Sequence, residues 1–335
     1  MNHTIYRINK NYNIICGRQE IKEIKITNLD KKKENNSKKK ETDSLKPETN
    51  SLKIISWNIE DFTKIDNIYK SDIFAKLKDC DIILIQEWKV DKGDNFVKEL
   101  NKPINKFNYN NVDRTAVIYN SNIFNYNEII LYDIKLIYEP PTLFEKLYTP
   151  GREKSNLMIK LVPKDNTKSI IYVVSFHLSA YIAESHQDFH KKQLTCLLNN
   201  CYKIINNNIK NENKNYDIII GGDTNYRTKN NNKKLINLID KSIINKFKSK
   251  NKILENICNG TCNSIPTQSF TCMHEKQPAK MIYSLYKKTQ ERIIRSNDDA
   301  RIDFIVSSLT KKENAIIDNY CKLSDHKPIR VILNW

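Results

Sequence analysis

Side chains that can bind metals or phosphates stand at the edges of six apolar segments of the sequence. They are Asn58, Glu87, His177, Asp223 with Asn225, Asp303, and Asp325 with His326. Aspartate and asparagine at strand ends often cap turns. Turn chemistry does not explain this set, because two of its members are histidines in a chain that has only six. The spacing therefore predicts one site that is assembled from several strand ends.

The residue types predict hydrolysis of a phosphoester. This reaction requires positive charge at the phosphate, a base that deprotonates water, and stabilisation of the leaving oxygen. Carboxylate and carboxamide oxygens are hard ligands that favour Mg²⁺ or Mn²⁺ over Zn²⁺. We therefore expect Glu87 to bind the metal, with Asn58 beside it. Asp223 is the candidate general base, and Asn225 would orient the phosphate or the water.

Three further residues have a functional and a structural interpretation. Asp303 is expected among the acidic groups near the metal, and its alternative is an ion pair with Arg301. His177 is expected to donate to the phosphate, and its alternative is a hydrogen-bonded core histidine. Arg227 follows Asn225 by two, so in an extended segment both side chains reach one phosphate. Its alternative is the start of the solvated loop RTKNNNKK.

Short β-rich runs alternate with polar connections, which predicts an α/β protein that positions these side chains. The segment at 186–207 has apolar residues at helical spacing and is predicted to be an amphipathic helix. His186 and His190 lie on this helix pattern and are expected to be exposed. Strands are predicted at 52–59, 80–87, 114–120, 155–162, 169–178, 216–222, 301–308 and 328–335.

The composition divides the chain into three parts. Residues 1–30 alternate weakly and are predicted to form a small N-terminal β element. Residues 31–50 are charged and nearly free of large apolar groups, so they are predicted to be a flexible linker. Residues 51–335 carry the predicted strands and form the expected catalytic domain.

The formal net charge of the 335-residue chain is +17, which favours an anionic partner such as nucleic acid. Lysine, asparagine and isoleucine are abundant even in loops, so part of this charge reflects compositional bias.

The N-terminal segment lacks the apolar stretch of a signal peptide, and no apolar run has the length of a membrane span. We therefore expect an intracellular protein with reduced thiols. Cys258, Cys262, Cys272 and His274 lie close together, but the Cys-x-His step does not fit a structural zinc site.

The order WNI, QE, HL, GDTN, RID and SDH over residues 52–335 resembles the endonuclease/exonuclease/phosphatase superfamily. The resemblance implies a four-layer α/β/β/α sandwich of two packed mixed sheets. It also implies that His326 donates to a phosphate oxygen while a carboxylate orients its ring. We assign the orienting role to Asp303 and metal or water binding to Asp325, with the reverse assignment as the alternative. Thr271 matches a family loop that borders the site.

Two branches of this superfamily resemble the chain most. The 5′-tyrosyl-DNA phosphodiesterases are similar through WNI, GDTN-x-R and SDH. The inositol polyphosphate 5-phosphatases share GD-x-NYR, but the segment DDARIDFIV lacks the proline, tryptophan and arginine of their pattern. The prediction is therefore a Mg²⁺- or Mn²⁺-dependent hydrolase of phosphodiesters, foremost in nucleic acid. A phosphatase of phosphorylated small molecules or lipids is the first alternative, and a non-catalytic nucleic-acid-binding protein is the second.

Overall fold

The structure is a computed structural model with two large β-sheets. The residues that it describes, to which every structural statement refers, are 4–7, 13–16, 24–25, 50–104, 106–125, 130–139, 153–178, 187–210, 215–225, 255–256, 281–284, 289–292, 303–313, 315–317, 323–324 and 326–335.

The strands divide between a nine-stranded large sheet, a six-stranded small sheet and one separate hairpin. The large sheet contains β1 (Thr4–Arg7), β2 (Asn13–Cys16), β3 (Ile24–Lys25), β8 (Ile130–Glu139), β9 (Glu153–Leu161), β10 (Ile170–His177), β11 (Tyr216–Asp223), β12 (Glu255–Asn256) and β15 (Asp303–Ser307). The small sheet contains β4 (Ser51–Asn58), β5 (Ile82–Gln86), β6 (Phe107–Val112), β7 (Thr115–Asn120), β16 (Ile316–Ile317) and β17 (Ile329–Asn334). The hairpin pairs β13 (Met281–Ser284) with β14 (Thr289–Arg292).

The sheets pack face to face, with helices on their outer faces. Isoleucine, valine and leucine dominate the central strands, and these residues suit a strand that is buried on both faces. One apolar cluster joins the sheets, and Ile82 of β5 and Val173 of β10 both belong to it. A second cluster places α1 (Ile65–Tyr69), α2 (Asp72–Asp79) and α3 (Val90–Leu100) against the small sheet. A third places α4 (Gln187–Lys210) against the large sheet. The predicted α/β/β/α sandwich is confirmed.

Two parallel strand pairs determine where the site forms. β4 pairs with β5 in the small sheet, and β10 pairs with β11 in the large sheet. The carboxyl ends of parallel strands meet at the same edge of a sheet. Asn58 and Glu87 therefore come from one sheet, and His177 and Asp223 come from the other. β15 runs antiparallel to β11 and places Asp303 opposite Asp223.

A polar contact joins the sheets directly behind this edge. The Gln86 side chain is fully buried, and its Nε2 lies 3.4 Å from the Ser56 hydroxyl and 3.3 Å from the Ser175 hydroxyl. Ser56 belongs to the small sheet and Ser175 to the large one. The Ser175 hydroxyl in turn donates to the carbonyl of Ile85 at 3.1 Å. Hydrogen bonds between the layers are thus made one residue from Glu87.

The N-terminal strands extend the large sheet. β1 and β2 form an antiparallel hairpin, and β2 and β3 both pair with β8. The limits of the N-terminal element, the linker and the catalytic domain stay predictions.

Cys80 and Cys201 are free, whereas Cys196 is disulfide-bonded, so the expectation of reduced thiols is wrong at Cys196. Among the described helices, none is long and apolar enough to cross a membrane.

Candidate active site

Seven of the predicted site residues lie in the described part of the chain, and side-chain contacts connect them. Asp223 and Asn58 are each 1% exposed, and the Asn58 Nδ2 donates to Asp223 Oδ2 at 3.1 Å. This hydrogen bond joins the end of a small-sheet strand to the end of a large-sheet strand. The cleft between the two sheets is therefore lined by polar groups that contact one another across it.

His326 is held by a carboxylate on one side and a hydroxyl on the other. Its Nδ1 lies 2.8 Å from Asp303 Oδ2, so the ring nitrogen that faces the carboxylate carries the proton. The Ser324 hydroxyl accepts from the His326 backbone N–H at 3.1 Å and donates to the Asn58 carbonyl at 2.7 Å. The His326 Nε2 then lies 3.6 Å from Asp223 Oδ2. Asp303 contacts the ring as the orienting role requires.

Asp223 is a buried acid with an altered titration. Burial raises its pKa to about 7, the charge of His326 lowers it, and the nearby Asp303 raises it. The Asn225 backbone N–H donates to Asp223 Oδ1 at 2.7 Å, which fixes the carboxylate plane together with Asn58. A carboxylate with this pKa exchanges its proton near neutral pH, which suits a general base.

His177 lies between the two acids at the centre of the cleft. Its Nε2 is 3.7 Å from Glu87 Oε1 and 3.7 Å from Asp223 Oδ2. Its backbone N–H donates at 3.0 Å to the buried carboxamide of Asn156. Glu87 has a left-handed backbone with a φ of 60°, which turns its side chain out of the strand direction. Two acids from different sheets therefore share one imidazole.

Asn225 and Gly222 show why the sequence around Asp223 is unusual. Asn225 has a φ of 51°, a conformation that asparagine tolerates, and its Nδ2 donates to the Leu178 carbonyl at 2.7 Å. Its Oδ1 accepts no hydrogen bond from the described residues and is available to a donor. At Gly222 a Cβ would overlap the carbonyl oxygen of Phe176 in the neighbouring strand. Only glycine allows β10 and β11 to approach this closely.

Three charged residues, Asp61, Lys89 and Arg114, lie on the solvent side of Glu87. The Arg114 Nη2 lies 3.2 Å from Glu87 Oε2 and also pairs with Asp61 Oδ1. Lys89 pairs with Asp61 Oδ2 at 3.4 Å. Asp61 belongs to a left-handed turn, Glu60–Phe62, in which the three φ angles are 51°, 55° and 56°. Three successive non-glycine residues in this region are costly, so the turn is held by its surroundings.

The donor set fits a hard divalent cation. Glu87 presents a carboxylate, and the Asn58 Oδ1, which accepts from the Glu60 N–H at 3.2 Å, keeps a second lone pair. The buried Asp303 Oδ1 accepts no hydrogen bond from the described residues, as expected of an oxygen that faces an ion or its water. Ligand atoms of Asp223, Asp303 and His326 also lie within 4.8 Å of one another. The described residues thus offer two candidate places for a cation, this trio and the pair of Glu87 with Asn58, and the second is the place that the sequence predicted.

Arg227, Asp325 and Thr271 lie outside the described residues, so their roles stay predictions. The same holds for the cysteines and histidine of 258–274. Three residues near the site were not expected from the sequence: Asp61, Arg114 and Ser324. Ser324 belongs to the SDH motif, and this position is the only sequence feature that could have identified it. Asp61 and Arg114 belong to none of the motifs.

No family model and no curated protein sequence matches the chain. Solved structures do. A truncated TDP2 from Caenorhabditis elegans is 13% identical, covers 85% of this chain and 98% of its own, and gives a TM-score of 0.50. A TDP2 from D. rerio with single-strand DNA product is 16% identical, with coverages of 85% and 99% and a TM-score of 0.49. An endonuclease/exonuclease/phosphatase family protein from Leptotrichia buccalis is 16% identical, with coverages of 85% and 100% and a TM-score of 0.49.

At these identities a likeness shows the fold alone. The two packed sheets and the order of the motifs WNI, QE, GDTN and SDH agree with it. The chain therefore has the fold of the endonuclease/exonuclease/phosphatase superfamily, as the motifs predicted.

Proposed function

We propose that the protein is a Mg²⁺- or Mn²⁺-dependent hydrolase of phosphodiester bonds, with nucleic acid as its substrate. The observation that carries the proposal is Asp223: a buried carboxylate with a pKa of about 7, between two histidines at 3.6 and 3.7 Å. A group that only stabilised the fold would be better paired, because a buried carboxylate without a full counter-charge is destabilising. Sites with this arrangement of perturbed groups in a cleft are commonly catalytic.

Asp223 is the general base of the proposed reaction. It accepts the proton of the attacking water when it is ionised, and Asn58 and Asn225 hold its two oxygens in place. The Asn225 Nδ2 donates one of its two hydrogens to the Leu178 carbonyl, which leaves the second hydrogen for the phosphate and the Oδ1 as an acceptor for the water. Asn225 can therefore orient the phosphate or the water, as the sequence predicted.

The two histidines bind the phosphate. Asp303 contacts His326 Nδ1 and orients the ring, so that Nε2 is directed at the phosphate. His177 lies between Glu87 and Asp223, and its Nε2 faces the proposed phosphate position as well. Hydrogen bonds to non-bridging oxygens strengthen as negative charge builds in the transition state, so both histidines act mainly on turnover.

Glu87 and Asn58 would hold the cation, with Asp325 as a further predicted ligand. The bound cation would neutralise the phosphate and the leaving oxygen. Nothing in this donor set favours zinc, since the described ligands are oxygens.

Basic residues near the turn at 60–62 favour a polyanionic substrate. Lys64 pairs with Glu60 at 3.5 Å, Lys89 pairs with Asp61, and the Lys92 ammonium donates to the Phe62 carbonyl at 3.3 Å. Arg114 completes this group. These four cations face three acids, Glu60, Asp61 and Glu87, so the group carries one net positive charge, which favours a chain of phosphates over a single phosphate monoester.

A substrate panel tests the proposal. The purified full chain would be assayed with Mg²⁺ on 5′-tyrosyl DNA, abasic DNA, plasmid, single-stranded DNA and soluble inositol phosphates, with Asp223→Asn as the inactive control. We expect hydrolysis of at least one nucleic-acid substrate that EDTA abolishes. Hydrolysis of inositol phosphates alone would show the phosphatase alternative to be correct. Binding of nucleic acid without any hydrolysis would support the non-catalytic alternative.

A further inference from the structure

We propose that Arg114 is a second phosphate-binding group of this site and that Asp61 positions it. The inference rests on the proposed function and extends it, because no sequence motif predicts an arginine from this hairpin in the cleft. In the structure Arg114 lies in the turn between β6 and β7, and its side chain reaches Glu87. It would contact a non-bridging phosphate oxygen on the Glu87 side of the substrate.

The guanidinium has donors to spare. Both acids that contact Arg114 use the same nitrogen, Nη2. No described residue accepts a hydrogen bond from its Nε or Nη1. The side chain is 35% exposed. An arginine that served only as a structural ion pair would be expected to engage its carboxylates through two nitrogens, in the fork geometry that makes such pairs strong.

The position of Arg114 is fixed relative to Glu87. The Trp88 backbone N–H, next to Glu87, donates to the Arg114 carbonyl at 2.9 Å. The two oxygens of Glu87 then face different partners: Oε2 faces Arg114, and Oε1 faces His177. A phosphate bound beside Glu87 is therefore within reach of the imidazole on one side and the guanidinium on the other.

The charge balance also favours an anion at this place. Arg114 and Lys89 carry two positive charges, and Asp61 and Glu87 carry two negative charges, so the group is neutral as it stands. A divalent cation at Glu87 would leave an excess of two positive charges. An anionic phosphate that approaches the site compensates this excess, and the guanidinium is its nearest protein donor on that side.

Asp61 explains how the arginine is kept in place. Its carboxylate joins Arg114 to Lys89, and it stands at the centre of the left-handed turn with φ 55° and ψ 23°. Aspartate and asparagine tolerate this backbone conformation better than other side chains do. Asp61→Asn therefore removes the charge while it preserves the turn, which makes it a clean test of the positioning role.

The test uses three variants of the full chain: Arg114→Gln, Arg114→Lys and Asp61→Asn. Lys53→Gln is the matched control, because Lys53 is similarly exposed and pairs with Asp79 at 2.8 Å outside the cleft. Two affinities would be measured apart from activity: Mn²⁺ alone by electron paramagnetic resonance, and inorganic phosphate in the presence of Mn²⁺ by calorimetry. Circular dichroism would check that each variant folds.

We expect Arg114→Gln to weaken phosphate binding at least tenfold and to raise KM, with no loss of Mn²⁺ affinity. Arg114→Lys should recover part of the phosphate affinity, because it restores the charge but not the planar donors. Asp61→Asn should weaken phosphate binding a few fold, and Lys53→Gln should change nothing. Unchanged phosphate affinity in Arg114→Gln, or an equal loss of Mn²⁺ affinity, would overturn the inference. If the wild-type protein hydrolyses a phosphodiester but Arg114→Gln behaves like it, only this inference fails; if the wild-type protein neither binds phosphate nor hydrolyses any substrate, the proposed function fails too.

Discussion

The two halves of the cleft differ in exposure and in the way their charges are balanced. The buried half consists of His177, Asp223, Asp303 and His326, which are at most 7% exposed. The open half consists of Asp61, Glu87, Lys89 and Arg114, whose side chains are 24–46% exposed. In the described part of the chain, no lysine or arginine pairs with Asp223 or Asp303. In the open half, each acid pairs with a cation.

This difference separates two tasks. Burial raises the pKa of Asp223, and charges in the buried half interact strongly because little water screens them. Charges in the open half are screened and form pairs that contribute little to stability. Proton transfer suits the first environment, and the exchange of ions and substrate suits the second. Substitutions should therefore act on turnover in the buried half and on binding in the open half.

The largest effect is expected for Asp223→Asn. The variant removes the proposed base, so we expect kcat to fall by about three orders of magnitude, within the range typical of general-base catalysis. Single-turnover assays with Mg²⁺ would measure it. A loss of less than tenfold would show that the buried half is not where the proton is accepted.

The same variant should change how stability depends on pH. The ordinary pKa of the carboxyl is 3.8, and the folded value is about 7, so between them the folded state binds more protons than the unfolded state. The free energy of unfolding contributed by this group is therefore complete below about pH 4 and decreases as pH rises towards 7. The amide that replaces the carboxyl does not titrate, so the stability of the variant relative to wild type should increase from about pH 4 to about pH 7. The whole interval corresponds to about 4 kcal/mol at about 1.36 kcal/mol per pKa unit, which is an upper limit. Urea denaturation in EDTA would measure the difference, and a difference that is constant with pH would contradict the raised pKa.

Glu87→Gln tests the open half at its most important residue. Loss of the charged ligand should reduce Mg²⁺-dependent activity about a hundredfold and raise the Mn²⁺ dissociation constant, while the melting temperature stays nearly constant. Metal titrations followed by activity and by Mn²⁺ binding would show this. Full turnover of the wild-type protein in excess chelator would contradict the assignment of Glu87 as a ligand.

Asp303→Asn should reduce kcat about tenfold to a hundredfold with little change in KM. The amide no longer favours the proton on His326 Nδ1, so the ring loses its orientation and part of its charge. Because Asp303 acts through His326, the double variant with His326→Gln should be hardly slower than His326→Gln alone. Additive losses would show that the two residues act independently.

Lys89→Gln should have the smallest effect. Among the described residues, the Lys89 ammonium pairs with Asp61 Oδ2, and the Lys89 side chain is 46% exposed, so the pair is screened. We expect less than a twofold change in kcat and a stability change within about 0.5 kcal/mol. Steady-state kinetics at low and high salt would measure it. An effect as large as that of Arg114→Gln would show that the open half acts as one unit rather than through the arginine.

The sequence predicted that side chains from both sheets would meet at one edge because four of them stand at the ends of apolar strands. Asn58, Glu87, His177 and Asp223 each end a strand, and the parallel pairs bring those ends together. Apart from Glu87, the open half was not predicted. Arg114 lies in a hairpin turn and resembles any surface arginine until β5 and β7 are paired. The left-handed turn of Asp61 depends on its packing and ion pairs, which local propensity does not report.

The buried amide of Gln86 has a consequence for the mechanics of the molecule. Because Glu87 and His177 belong to different sheets, the distance between them is a distance between layers. Sliding of one layer over the other would alter that distance before it broke any hydrogen bond within a sheet. The Ser175 hydroxyl opposes such sliding, because it bonds across the layers to the Gln86 amide and to the Ile85 carbonyl. An apolar side chain of the same volume at position 86 would fill the space but would lose one of these two bonds, so a restraint in the interior helps to maintain the spacing between this acid and the imidazole.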